Sequence, residues 1–200
     1  MGIWTPWGLS DSNTALAPGI GSYSTPSHGG IHLDDEHNRK MPEAMRNVDG
    51  WYEEDCEWAK VAFVFPYAFK PEHVQAAIHT IKNWLPHEYE KVTGIKLKPE
   101  ESRTLREEIW KEQHKEHLQT VSACGSCSWL KLPEGMVGVT ACKGGHTKNG
   151  HYADKLRYFL VPELEYDKRP EFGFVIEDEK KYEEVNHDFT RIATANLKAS

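Results

Sequence analysis

The hydrophobic period of this chain changes from helical to strand-like after Leu118, and that change constrains its fold more than any other feature. Upstream, Val74, Ala77, Ile78, Ile81 and Leu85 recur at helical spacing, which places apolar side chains along one face. Pro71 suits the first turn of that helix, and Pro86 ends or kinks it. The charged segment 99–118 predicts a second long helix that turns Leu105, Ile109 and Trp110 inward. Downstream, residues 120–123, 136–142, 156–161 and 172–176 are short runs of strand formers separated by Gly, Pro and charged turns. Helices followed by strands predict an α+β fold, with the central helices packed on a C-terminal antiparallel sheet.

The opening is different in character. Residues 1–30 are rich in Gly, Ser, Pro and Trp, which predicts a loop-rich N-terminal region with short strands near 21–25 and 31–33. If 31–33 is a strand, His32 points away from Ile31 and Leu33. Residues 36–47 suit a short helix broken or started at Pro42. Over 52–65, Tyr52, Cys56, Ala59 and Phe63 share a helical face, so a helix is expected there. Glu53, Glu54 and Asp55 would then occupy its first turn, where the helix dipole favours negative charge. Residues 144–154 read as an exposed hairpin loop.

At 200 residues the chain suits a single domain, expected over 1–185, with 186–200 as a mobile tail. Seven Trp, eight Tyr and seven Phe supply large buried areas despite a modest apolar fraction. The net charge of −7 argues against nucleic acid as a partner, since phosphate backbones recruit clustered Lys and Arg. No apolar run approaches the roughly 20 residues that span a bilayer. Neither a signal-peptide pattern nor a cysteine framework stands out, and the expected location is cytoplasmic.

Two dense motifs stand near the start. Ser24-Thr25-Pro26-Ser27-His28-Gly29-Gly30 is followed by Gly50-Trp51-Tyr52-Glu53-Glu54-Asp55. A neutral imidazole at His28 can serve as a general base, and a carboxylate of Glu53, Glu54 or Asp55 can orient it or share a metal with it. On a helix those acids would fan out by about 100° each, so at most two can face His28. A structural role competes with this one, with His28 closing a turn and the acids capping a helix. His28, His32 and His37 lie close in sequence, but their spacing matches no zinc signature.

Cys124-Gly-Ser-Cys127 has the two-residue spacing of a zinc knuckle, and Cys142 and His146 can complete four ligands. Zinc is therefore the cofactor these residues would imply; inert cysteines in or beside a sheet are the alternative. Trp7, Tyr23, Gly29, Gly30, Trp51 and Tyr52 make up a third group, suited to flooring a pocket or anchoring a protein partner. No phosphate-cradling loop and no nucleophile elbow is found, which puts an enzyme reading second to a binding one.

These motifs carry a resemblance. Thr5-Pro6-Trp7-Gly8, Ala17-Pro18-Gly19-Ile20, Ser24-Thr25 with His28-Gly29-Gly30, and the 50–55 motif resemble an uncharacterised family of bacteriophage and plasmid-borne proteins. The likeness extends through Trp58-Ala59 and Phe65-Pro66 to Phe159-Leu160-Val161-Pro162 and Phe172-Gly173-Phe174-Val175. Cys124, Cys127 and Cys142 fall outside the shared pattern. The resemblance implies a mobile-element origin and no particular chemistry. The expectation is a phage-encoded accessory protein that modulates its host cell by binding a defence protein or a nucleotide signal. The alternatives are a hydrolase-like enzyme using His28 with Glu53, Glu54 or Asp55, and a zinc-stabilised interaction module.

Overall fold

A computed structural model describes residues 2–127, 130–147 and 149–190. The fold is α+β, and the chain divides into two compact units, Met1–Arg106 and Glu107–Ser200. Residues 191–200, within the expected tail, lie outside the described residues.

In the first unit, β1 (Trp4–Thr5) and β2 (Gly8–Leu9) make a small hairpin with Pro6 and Trp7 at its turn. A four-stranded antiparallel meander follows: β3 (Ser12–Ala17), β4 (Ile20–Ser24), β5 (Gly29–Leu33) and β6 (Trp51–Glu53), paired in that order. The region expected to be loop-rich is thus an ordered sheet. Short polar strands such as β3, whose side chains are mostly exposed, leave little apolar alternation to read. α1 (Asp35–Lys40) joins β5 to a single 3-10 turn, Glu43–Met45, beyond Pro42. Asp34 caps α1 by accepting the His37 N–H at 2.8 Å.

The expected helix over 52–65 is shorter than its pattern. Residues 51–53 are captured by β5 as β6, a turn follows, and α2 spans only Trp58–Val64. Glu53, Glu54 and Asp55 therefore precede the helix instead of forming its first turn, and Cys56 sits in the turn rather than on a helical face. The stripe from Val74 to Leu85 folds as α3 (Pro71–Trp84), and Pro86 opens a separate helix, α4 (Pro86–Thr93). The predicted helix over 99–118 breaks at Ser102, whose hydroxyl donates to the Asn83 carbonyl at 3.1 Å. What remains is a 3-10 turn, Pro99–Glu101, and α5 (Arg103–Gln113).

Ile20, Leu33, Tyr52, Ala59, Val61, Ala77 and Ile81 share one buried core, with Tyr89 of α4 also part of it. The helices α2, α3 and α4 thus bury their apolar sides in a core shared with the N-terminal sheet. The reason lies in the meander: its inner face carries Ile20, Ile31, Leu33 and Tyr52 in register, an apolar surface that must be covered.

The second unit contains a five-stranded antiparallel sheet ordered β10-β7-β8-β9-β11. Its strands are β7 (Leu118–Cys124), β8 (Met136–Lys143), β9 (Leu156–Pro162), β10 (Val175–Ile176) and β11 (Glu183–Val185), with α6 (Glu163–Tyr166) after β9. It has a core of its own around Val139, Ala141, Phe159, Val161 and Ile176. In α5, Ile109 is exposed, against expectation, while Trp110 stacks near His114 and Phe172 with centroids 4.8 and 6.2 Å away. No helix of the described residues is long and apolar enough to cross a membrane.

Candidate functional site

The outer face of the N-terminal sheet is where most of the candidate residues meet. Strand alternation explains why. The register pairs Gly21 with His32, Tyr23 with Gly30, Gly30 with Glu53, and His32 with Trp51, so these residues all face away from the core. Trp51 lies 5.8 Å from Trp7, 5.2 Å from Tyr23 and 4.4 Å from His32, measured between ring centroids. Gly30 makes this packing possible, because a Cβ there would collide with the Trp7 ring and with the Tyr52 carbonyl.

Tyr52 is a correction to the expected binding set. It follows Trp51 in a strand, so it points to the opposite face and is 0% exposed. Its role is structural. The Tyr52 hydroxyl donates to Asn38 Oδ1 at 2.7 Å and accepts the Asn47 N–H at 3.1 Å. The Asn47 amide donates to the Trp51 carbonyl at 2.6 Å and to Glu57 Oε2 at 2.8 Å. Buried Lys60 completes the chain by pairing with Glu57 Oε1 at 2.9 Å. Burial pushes the Glu57 carboxyl upward, but the Lys60 ammonium and the Asn47 amide hold it below its ordinary value. This network, invisible to sequence patterning, fixes the 46–50 loop beside Trp51.

Two hollows flank the aromatic group. One of about 580 Å3 is lined by Trp7, Arg46, Val48, Asp49, Trp51 and Glu53, among others. Another of about 300 Å3 lies over β3 and β4 and includes Tyr23, His32 and Asp34. His32 is held below the usual imidazole range by burial, with Asp34, Asp49 and Asp35 opposing that shift. The spacing of His32 matches no zinc signature; the alternation of Gly30 and His32 with Ile31 and Leu33 is the signal that puts it on the outer face, where the register sets it beside Trp51. His37 is likewise committed elsewhere, with Nδ1 2.7 Å from Asp34 Oδ1.

At the end of β5 and β6, His28, Glu53 and Glu54 converge. One ligand atom from each lies within 4.8 Å of the others. Three local features build this meeting. The Thr25 N–H and hydroxyl both donate to the His28 carbonyl, at 2.7 and 2.9 Å, closing a tight turn. The Glu54 N–H donates to the Gly29 carbonyl at 3.0 Å, extending the strand pairing by one step. Gly29 leaves room for the Glu54 carboxylate, since a Cβ there would lie 2.5 Å from Glu54 Oε2. Gly29 thus serves the acid cluster and not the aromatic face. Asp55 does not join the group; its N–H donates to Glu53 Oε2 at 2.9 Å.

The cysteine set is not brought together. Cys124 pairs with Gly138 in the register, whereas Cys142 pairs with Gln119. Four strand residues, ~13 Å, separate Gly138 from Cys142 along β8. The buried Cys142 thiol is engaged locally, donating to the Asp154 carbonyl and accepting the Asp154 N–H, both at 3.1 Å. His146 is exposed and faces Tyr152 across an isolated bridge. Among the described residues, His28, Glu53 and Glu54 form the one group of three or more metal-ligating side chains. Burial raises the Cys124 thiol above its usual range, with Cys127 nearby adding to the shift.

A family model described as a domain of unknown function (DUF7007) matches residues 1–115. The chain belongs to that family. The matched span contains the N-terminal sheet, the aromatic face and all of His28, Glu53 and Glu54, whereas Cys124, Cys127, Cys142 and His146 lie beyond it. No curated protein and no solved structure matches the chain.

Proposed function

We propose that the chain is an accessory protein of bacteriophage or plasmid origin that modulates its host by binding a host protein in the cytoplasm. The observation that carries the reading is the outer sheet face, where Trp7, Tyr23, His32 and Trp51 cluster between two hollows. Aromatic anchors of this kind dominate protein interfaces because each buries a large rigid area at little entropic cost. Two further apolar side chains of this unit are exposed: Trp4, on the hairpin that carries Trp7, at 77%, and Val48, which lines the larger hollow, at 101%. Exposed apolar side chains grouped beside a hollow mark interaction sites.

Charge selects the class of partner. Asp34, Asp49, Glu53 and Glu57 line the hollows, and the chain carries −7 overall. Arg46 is the one Lys or Arg lining either hollow, and its guanidinium already donates to the Met41 and Arg39 carbonyls. A nucleotide phosphate would meet repulsion here, whereas a protein with a basic contact surface, such as a host defence protein, is attracted.

The test is capture of host proteins by the tagged full chain, followed by affinity measurement with the purified partner. Trp51→Ala and Trp7→Ala should each weaken binding by about 30-fold, the scale of a hot-spot residue, and binding should fall with salt. Retained melting temperatures would show that the variants fold. A stoichiometric partner bound equally well by both variants would overturn the proposal.

A further inference from the structure

We infer that His28, Glu53 and Glu54 form a binding site for one divalent first-row cation of the Mn2+ class. The inference stands apart from partner binding, and either can fail without the other. An imidazole and two carboxylates match the hard-to-borderline donor set that such ions take, and no thiolate takes part. Metal–ligand bonds of about 2.1 Å place the donor atoms roughly 3.0–4.2 Å apart around a common ion. The three donors here already lie within 4.8 Å of one another, so small torsions of the exposed His28 and Glu54 side chains close the set.

Electrostatics points the same way. Two carboxylates on adjacent residues are held together, and among the described residues neither is ion-paired to a Lys or Arg. Other acids of the chain are ion-paired, as Glu36 is with Lys40 at 2.7 Å and Glu116 with Lys143 at 2.8 Å. A divalent cation supplies the missing counter-charge. The backbone around the site is fixed independently of any ion, by the Thr25–His28 turn and by the Glu54 N–H on the Gly29 carbonyl. That arrangement limits the ordering cost of binding.

The location gives the site a use. Glu53 borders the 580 Å3 hollow beside Trp51, while Glu54 borders another of about 400 Å3 with Trp58, Phe69 and His73. Three protein ligands leave the remaining coordination positions to water.

The experiment titrates metal-stripped full-length chain with Mn2+ alone, following free Mn2+ by electron paramagnetic resonance. Mn2+ is the probe because cysteine thiols compete poorly for it. The expected result is one saturable ion per chain. His28→Gln and Glu54→Gln should each weaken binding about tenfold or more, while Asp55→Asn should leave it unchanged. Mn2+ should also raise the melting temperature of the unsubstituted chain and not that of Glu54→Gln. Absence of saturable binding, or equal affinity in folded His28→Gln and Glu54→Gln, would overturn the inference.

Discussion

Replacing Tyr52 by Phe removes one oxygen from the centre of the network that positions the candidate interface, and its cost can be worked from the contacts. The hydroxyl donates to Asn38 Oδ1 at 2.7 Å and accepts the Asn47 N–H at 3.1 Å. The ring itself is fully buried and Phe fills nearly the same volume, so packing terms stay small. Two half-buried groups lose their partner, at about 1 kcal/mol each, giving about 2 kcal/mol. For a cooperative unit of roughly 100 residues that lowers the melting temperature by on the order of 10 °C. Five of the seven tryptophans, Trp4, Trp7, Trp51, Trp58 and Trp84, lie within Met1–Arg106, so tryptophan fluorescence during urea unfolding is weighted toward this unit, and the midpoint of that component should fall at constant slope. The same residue sets an alkaline limit. Burial raises the Tyr52 phenol above 10.0, so its contribution is full below pH 10.0 and is lost as pH rises through the higher folded value. The phenylalanine variant should lack that component of the alkaline loss. An unchanged urea midpoint would refute the claim that this hydroxyl holds the 46–50 loop.

Two other perturbations follow from the charges. Because burial depresses His32 below 6.5, an NMR titration of its ring should give a midpoint under that value. The stability it contributes is complete above pH 6.5 and is lost as pH falls through the folded value; a midpoint above 6.5 would contradict its placement against Trp51. In the second unit, Arg157 grips Glu184 through two bonds of 2.8 and 2.7 Å and also reaches Glu179, tying β9 to the edge strand β11. The Arg157 hydrogen bonds pull Glu184 below 4.5, so its stabilisation is present above pH 4.5 and is lost as pH falls further. Both partners are partly solvated, so Glu184→Gln should cost under about 1 kcal/mol, seen as faster amide exchange confined to 183–185.

What could be read from the chain in advance was whatever rests on local periodicity. The apolar stripe that ends at Leu85 produced α3 where expected, the two prolines at 71 and 86 bounded it, and β7, β8 and β9 lie where the strand-forming runs stand. The segment from Tyr52 to Phe63 shows the limit of that reasoning. Its spacing suits a helix, yet pairing with β5 is worth more to Trp51 and Tyr52, since it buries Tyr52 and seats Trp51 between Tyr23 and Trp7. A helical pattern has no means of registering a strand partner 21 residues upstream, as Ile31 is to Tyr52. The cysteines show the complementary limit. A two-residue spacing at Cys124 and Cys127 looks like half of a knuckle, but the sheet register carries Cys142 to the other end of β8.

The candidate site divides along the same line. That His28 and the acids after Trp51 belong together was suggested by their residue types alone, because imidazole and carboxylate have shared uses wherever they meet. Which acids meet it was decided by the backbone. With the acids at the end of a strand and in the turn after it, Glu53 and Glu54 close on His28 while Asp55 points its N–H back to Glu53. Residue types and local spacing set the inventory of chemistry and most of the helices and strands. The tertiary structure alone decided which residues share a face, because facing depends on strand register, and register is set by distant partners and by the apolar surface they must jointly bury.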